Sequence, residues 1–473
     1  MLVGPQMAAF SASARGTLWA AAFGFVVVLL DISVVNVALD ALQREFSTDV
    51  AGLQWVVNAY TLAFAALLLT SGALGDRFGA RRLYLSGLAV FTLASAACGL
   101  AGSLPVMVGA RLIQGMGAAL LVPNSLVMVQ RAFPDSQARS RAVGWWGALG
   151  GAALAAGPVL GGVLVAHAGW RSVFLINLPV GLIGICLTLR HAAPSGGGHR
   201  RGLDWSGQVA AMVALAATTM TLIEAGQLGW AHGVVRGGAL LALVSLTAFL
   251  WIEARSTSPM LPLNLFRNHT FSIVSLAGVA VNFAYYGLIF VFSLFFQMQQ
   301  HLSPQQTGLA FLPMTLVLVA LNVVAGRLIT RLGPRLLMFM GLALAGSGYL
   351  LLMRVSIGGH YALLIVPMLM AASGVALVVP TMTNATLASV DRSRAGIASS
   401  VLNCARQVGG MLGVALFGSL IGDGAPDAFM HGMHISIGMS AGALLLASVL
   451  CWSGMRPGPL HPLRASGEAV KPE

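Results

Sequence analysis

The chain has 473 residues, 57% of them hydrophobic and 8% charged, with a mean hydropathy of +0.85. That composition excludes an ordinary soluble domain, and apolar runs of about 20 residues, the length a helix needs to cross a bilayer, recur from end to end. The net charge of +12 does not point to nucleic acid, because the basic residues stand singly or in small clusters between apolar runs, with no aromatic interleaving.

In chain order the runs predict an all-α polytopic membrane protein with fourteen spans. Residues 1–16 form a cytoplasmic N-terminus. Spans at 17–39, 53–74, 83–102, 105–128, 142–165 and 172–190 make a first six-helix half, 17–190. The first run carries Asp31 and Asn36 instead of a clean apolar centre with a small-residue cleavage site, so it reads as a spanning helix and not as a signal peptide. A linker, 191–268, opens on "HAAPSGGGHRRG", holds two further spans at 206–226 and 236–252, and closes on "ARSTSPMLPLNLFRNH". Spans at 270–296, 307–329, 336–354, 361–384, 396–421 and 433–453 make a second half, 269–455, and 456–473 is a cytoplasmic tail.

Charge tests that reading independently. With both termini inside, all but six of the 26 basic residues fall in cytoplasmic segments, as the positive-inside rule requires. Arg44, Arg171, Arg236 and Arg354 lie in outer loops, and Arg111 and Arg406 lie within spans. Cys98, Cys186, Cys404 and Cys451 all sit in apolar runs without a CxxC pair and read as packing residues.

An internal repeat is visible. "GALGDRFGAR" from Gly72 returns as "GRLITRLGPR" from Gly326, an offset of 254. "GAALLVP" from Gly117 returns as "GVALVVP" from Gly374, offset 257, and "RSRA" at Arg139 returns at Arg392, offset 253. Three matches in order at a nearly constant offset imply duplicated halves. Six spans would give an offset of about 180 to 190, so the excess accounts for two extra helices and a plan of six, two and six.

Four charged residues fall within spans: Asp31, Arg111, Glu224 and Arg406. Each costs about 2.5–3.5 kcal/mol at a span centre, so such residues face a cavity or a partner. Asp31 lies ~21 Å along its helix from the cytoplasmic end. Desolvation favours the neutral form of a carboxyl, which makes Asp31 the leading proton-coupling candidate, suited also to attracting a cationic substrate. A fixed structural ion pair is the alternative role. Arg111, followed by Gln114, Gly115 and Gly117, needs acceptors, and Arg406, with Asn403 and Gln407 beside it, joins Asp31 and Arg111 as a proton-coupling candidate that either complements Asp31 or binds substrate. Asn36, Gln114, Asn403, Gln407 and Glu224 are candidate polar residues of a substrate cavity, Glu224 a peripheral one. The only lysine is Lys471, so there is no phosphate-binding Walker A loop, and no HExxH or other paired catalytic spacing exists. The reading is therefore neither an ATP-driven pump nor an enzyme, with no cofactor and no metal.

Five stretches resemble the major facilitator superfamily and, within it, the 14-spanner drug–proton antiporters. "GALGDRFGARR" resembles the loop 2-3 signature, with Ala80 where a basic residue is usual, and "RLIQGMGAA" from Arg111 resembles the fourth-helix arginine motif. "GWWGALGGAALAAGPVLGG" resembles the helix 5 antiporter motif, keeping Gly157, Pro158, Gly161 and Gly162 but placing Ala153 where glycine is expected. "LDISVVNVALD" is similar to the first-helix motif, with Ser33 and Asp40 replacing threonine and proline, and "WRSVFLINLPVG" resembles the start of the sixth helix. The resemblance implies a major facilitator fold with pseudo-symmetric halves and assigns Arg111 to tuning proton transfer. Gly72, Asp76, Arg77, Gly79 and Arg81 form a gating loop in that reading, whose carboxylate meets a helix N-terminus or an arginine of the other half in one state only.

The expected function is a proton-coupled antiporter in the cytoplasmic membrane that exports hydrophobic or amphipathic drugs or antibiotics, with protons and membrane lipids as its other partners. A dedicated exporter of one endogenous metabolite or amino acid on the same scaffold is the alternative. Nothing in the sequence supports an accessory periplasmic protein.

Overall fold

The computed structural model describes residues 11–194, 202, 204–391, 394–422 and 426–455, and among these every regular element is helical. Thirteen helices are long and apolar enough to cross a membrane. They are α1 (Ala12–Phe46), α2 (Val50–Phe78), α3 (Ala80–Gly99), α4 (Leu104–Ala132), α5 (Gln137–Ala168), α6 (Ser172–His191), α7 (Trp205–Leu228), α8 (Gly233–Arg255), α9 (His269–Gln299), α10 (Pro304–Leu352), α11 (Ala362–Ala388), α12 (Ala395–Ile421) and α13 (Pro426–Gly454).

Short polar residues between the apolar runs set the helix starts. Side-chain oxygens of Ser11, Asp49, Asp135, Asp204 and Asn268 accept hydrogen bonds from first-turn N–H groups of α1, α2, α5, α7 and α9. Ser303 and Gln306 form a reciprocal capping box at α10. These caps satisfy donors that a helix start otherwise leaves unpaired.

The two spans expected at 307–329 and 336–354 fall together on α10, which has 49 residues. A straight helix that long would extend about 74 Å, more than twice the ~30 Å hydrocarbon core. Gly333 breaks it with φ 75° and ψ 159°, followed at once by Pro334. Glycine tolerates that backbone, and proline, which has no N–H to donate, suits the start of a new helical segment.

The sequence repeat reappears as repeated contacts. Gly79, at the α2–α3 turn, has φ 93°, and Gly333, 254 residues on, is its counterpart. Two residues after each glycine stands an arginine that donates to a carbonyl near the end of a distant helix: Arg81 to Leu189 O at 3.1 Å in α6, and Arg335 Nε to Trp452 O at 2.8 Å in α13. Gly87 and Gly117 bring α3 onto α4, where a Cβ on Gly117 would stand 2.9 Å from Gly87 O. Gly341 and Gly374 do the same for α10 and α11, with the corresponding distance 2.3 Å. Small residues at both crossings let the backbones approach. The second copy of the "RSRA" repeat begins at 392 and 393, outside the described residues.

α7 packs against α2 and α12. Gln208 Nε2 donates to Ala66 O at 2.9 Å, and Gly226 lies against Ser419. α8 packs mainly on α7 and is only 17% buried in its apolar window, so most of its surface is left for lipid.

Candidate functional site

Two arginines organise the interior, Arg111 buried and Arg406 half-buried. Arg111 of α4 and Asp31 of α1 are each 1% exposed. Arg111 Nη1 donates to Asp31 Oδ2 at 2.5 Å and to Gln114 Oε1 at 2.8 Å, and Arg111 Nε donates to Val56 O at 3.0 Å. The other carboxylate oxygen, Asp31 Oδ1, accepts from Gln114 Nε2 at 2.8 Å and from Asn177 Nδ2 at 2.9 Å. The guanidinium carbon also lies 4.3 Å from the centroid of the Tyr60 ring. An ion pair taken out of water persists when its remaining lone pairs and protons find partners, and this network supplies them from four helices.

A second feature is a cavity of about 1780 Å³ lined by α1, α2, α4 and α5 on one side and α9 to α12 on the other. Phe25, Phe64, Trp145, Trp146, Tyr285 and Tyr286 give it aromatic walls, with Trp146 stacked on Phe25 at 3.9 Å. Ser399, Ser400, Asn403, Arg406 and Gln407 line it from α12. Their spacing puts them on one helix face, so a polar stripe runs along the wall. Arg406 Nε faces Asn282 Oδ1 at 3.4 Å. One end of the cavity is a mouth lined by Asp76, Arg141, Asp204 and Arg394. Partial burial works against the charge of Asp204, but hydrogen bonds from Gly207 N–H, Ser256 and Ser206 outweigh it and hold the carboxyl below the usual carboxylate range.

Beyond the cavity the halves touch through backbone. Pro158 lies within α5. A Cβ on Gly162 of α5 would stand 2.5 Å from Pro304 O of α10, and one on Gly308 of α10 would stand 2.4 Å from Pro158 O. Gly157 and Gly161, on a neighbouring face of α5, rest on Ser33 and Val34 of α1, and Ser33 Oγ donates to Leu154 O at 2.8 Å. Gln54 of α2 adds a second seal by donating to Val414 O at 3.0 Å and Ala415 O at 2.5 Å in α12.

The residues singled out in the sequence therefore divide into groups. Asp31, Arg111 and Gln114 come together in the sealed network and do not line the large cavity, so Gln114 is corrected from a cavity residue to a partner of the ion pair. Asp31, already enclosed by three donors, offers no open carboxylate to a cation in that cavity. Asn403, Arg406 and Gln407 do line it. Asn36 donates to Ile32 O of its own helix at 2.9 Å and borders a separate small void with Gln407 and Tyr286. Glu224 of α7 is not in the cavity wall, because α7 packs outside the ring of helices that enclose it. Of the gating loop, Gly72 and Asp76 reach the mouth, Arg77 lies over the Phe78 ring, Gly79 makes the turn and Arg81 ties down α6. Asp76 forms no ion pair among the described residues.

Sequence reasoning missed Asn177, Tyr60, Asn282 and the Tyr285–Tyr286 pair, all neutral groups in apolar runs that carry no signal until the fold gives them a charged neighbour. It also missed Glu253, which is 3% exposed near the end of α8 and accepts from Leu261 N–H at 3.0 Å.

A sequence model of the Major Facilitator Superfamily matches residues 21–414. The methylenomycin A resistance protein of Streptomyces coelicolor is 37% identical over 433 residues, covering 92% of this chain and 90% of that protein. The multidrug resistance protein Stp of Mycobacterium tuberculosis is 37% identical over 405 residues, 86% of this chain and 75% of that protein. Among solved structures, a D-xylose–proton symporter superposes with a TM-score of 0.68 at 14% identity, covering 94% of this chain and 98% of that one, a likeness of fold alone.

Proposed function

The chain belongs to the Major Facilitator Superfamily and is a multi-pass membrane transporter, not an enzyme, and on that premise we propose that it is a proton-coupled antiporter exporting hydrophobic or amphipathic compounds, antibiotics among them. In this reading α10 crosses the membrane twice, giving fourteen spans as six, two and six, with halves at 17–190 and 269–455. The protein sits in the cytoplasmic membrane with both termini inside, and the cavity mouth faces the cytoplasm, where the positive-inside rule puts Arg141 and Arg394.

The observation that carries the coupling is the sealed Asp31–Arg111 pair. Protonating Asp31 removes the charge that gathers Arg111, Gln114 and Asn177, leaving a buried guanidinium with too few acceptors. An unpaired buried charge costs several kcal/mol, enough to shift a packing equilibrium. The path to the closed end is short. Ser33 and Val34 follow Asp31 on α1 and seat Gly157 and Gly161, while Pro158 and Gly162 on the same α5 meet Pro304 and Gly308 of the other half. Repacking of α1 would therefore loosen the α5–α10 contact and let the halves rock around the cavity.

The test uses inside-out vesicles carrying an imposed proton gradient and a panel of amphipathic compounds. Wild-type protein dissipates the gradient when a substrate is added, and inserted Asp31→Asn protein does not. Compound-driven proton movement that persists unchanged in Asp31→Asn would remove Asp31 from the coupling step.

A further inference from the structure

We propose that Arg406 makes the cavity selective for amphipathic anions, compounds that join an apolar ring system to one carboxylate or comparable acidic group. The proposal rests on the exporter reading above and names the substrate class of the same cavity.

The first argument is an inventory of donors and acceptors. A guanidinium carries five N–H donors and no acceptor. Among the described residues Arg406 has one protein hydrogen bond, the long one from Nε to Asn282 Oδ1. Because Oδ1 is turned to the arginine, the amide nitrogen Nδ2 of Asn282 points elsewhere, and it is buried without a partner. Arg406 thus presents guanidinium donors with nothing to receive them on a wall that opens into the cavity, and the enclosed Asn282 amide nitrogen supplies no acceptor for them. The group that completes such a set is an acceptor, and the one that matches a guanidinium fork best is a carboxylate.

The second argument is the placement of charge. Among the described residues the cavity wall holds two acidic side chains, Asp76 and Asp204, and three arginines, Arg141, Arg394 and Arg406, and both acids are at the mouth. Arg406 stands ~18 Å further along α12 from Arg394, near mid-membrane depth. No carboxylate accompanies it there, since Asp31 lies behind the wall with its oxygens taken by Arg111, Gln114 and Asn177. A cationic compound reaching the bottom of the cavity meets only a like charge. An anion meets the guanidinium, with Tyr285, Tyr286 and the Phe25–Trp146 stack at hand for its rings.

The experiment is equilibrium dialysis of the purified full-length protein in lipid nanodiscs against three probes on one ring system: 2-naphthylacetate, 2-naphthylacetamide and (2-naphthylmethyl)trimethylammonium. The proposal expects the acid to bind about tenfold or more tighter than the amide and the cation to bind weakest. In Arg406→Gln the acid and the amide should bind within about threefold of each other, and Arg406→Lys should keep an intermediate preference. Retained binding of the amide reports that the variants are folded. Tightest binding of the cation by wild type, or an acid preference that survives Arg406→Gln, overturns the charge assignment and leaves the exporter reading standing. Failure of all three probes to bind wild type overturns the amphipathic-substrate reading, and the proposal with it.

Discussion

The two copies of the sequence repeat share a scaffold and differ in where they hold charge. Gly79 and Gly333, Arg81 and Arg335, and the glycine pairs 87/117 and 341/374 repeat the same turns and crossings. The two arginines within the spans do not repeat. At the offset of 257 Arg111 corresponds to Met368, and at 253 Arg406 corresponds to Ala153. The first arginine is enclosed by a carboxylate, an amide, a backbone carbonyl and an aromatic face, whereas the second faces an open cavity with one long hydrogen bond. Neither charge therefore belongs to the duplicated pattern. A charge fully matched inside one half can act as a switch when its partner changes protonation. A charge left with spare donors facing a cavity can act only on what enters.

Breaking the matched network should have the largest effect. Asp31→Leu leaves Arg111 buried without its counter-ion and should destabilise the protein by about 3–5 kcal/mol, read as a lowered midpoint in thermal unfolding in detergent. The Asp31→Leu/Arg111→Leu double variant should recover most of that stability without recovering proton coupling. If the single variant unfolds like wild type, the pair is not holding the half together.

A smaller effect is expected where the halves meet. Gly308→Val places a methyl-bearing carbon against the Pro158 carbonyl and should cost about 1–3 kcal/mol in the closed arrangement alone. With Thr307→Cys, a position fully buried beside this contact, in a cysteine-free background, maleimide labelling from the side opposite the mouth should rise severalfold. An unchanged labelling rate would mean that this contact does not close the cavity.

The duplicated turns sharpen the comparison from the scaffold side. Gly79→Ala and Gly333→Ala each force a side chain into a positive-φ backbone and should cost about 1–2 kcal/mol, by equal amounts if the halves are built alike. The smallest expected change in stability is that of Arg406→Gln, below about 0.5 kcal/mol by the same unfolding assay, because little in the folded protein depends on that guanidinium.

Much of the scaffold was legible in the sequence because it is written in hydropathy and punctuation. The break between 329 and 336 was expected and lies at Gly333 and Pro334. The first helix runs past its expected end at 39 to Phe46 because Asp40 and Arg44 pair along its polar last turns, which hydropathy scores as loop. The repeat was readable where charges and glycines cluster, as from Gly72 to Arg81, and unreadable at Gly87 and Gly341, single glycines in apolar runs. The charged residues of the site were found by their cost in a membrane, but their pairings were not. Arg111 and Asp31 are 80 positions apart, and only tertiary packing decides that Asp31 meets Arg111 while Arg406 meets Asn282. The same lack of contact information placed Gln114 and Glu224 at a cavity that neither lines.

The division of labour between the two arginines can be tested most directly by measuring binding and proton coupling on one preparation. Wild-type, Asp31→Asn and Arg406→Gln proteins would be reconstituted side by side, with equilibrium binding of a transported compound and compound-driven proton flux recorded for each. The account predicts that Asp31→Asn binds the compound near the wild-type level and moves no protons, while Arg406→Gln loses binding and moves protons only in proportion to the binding that remains. Full proton coupling in Asp31→Asn, or wild-type binding in Arg406→Gln, would contradict it.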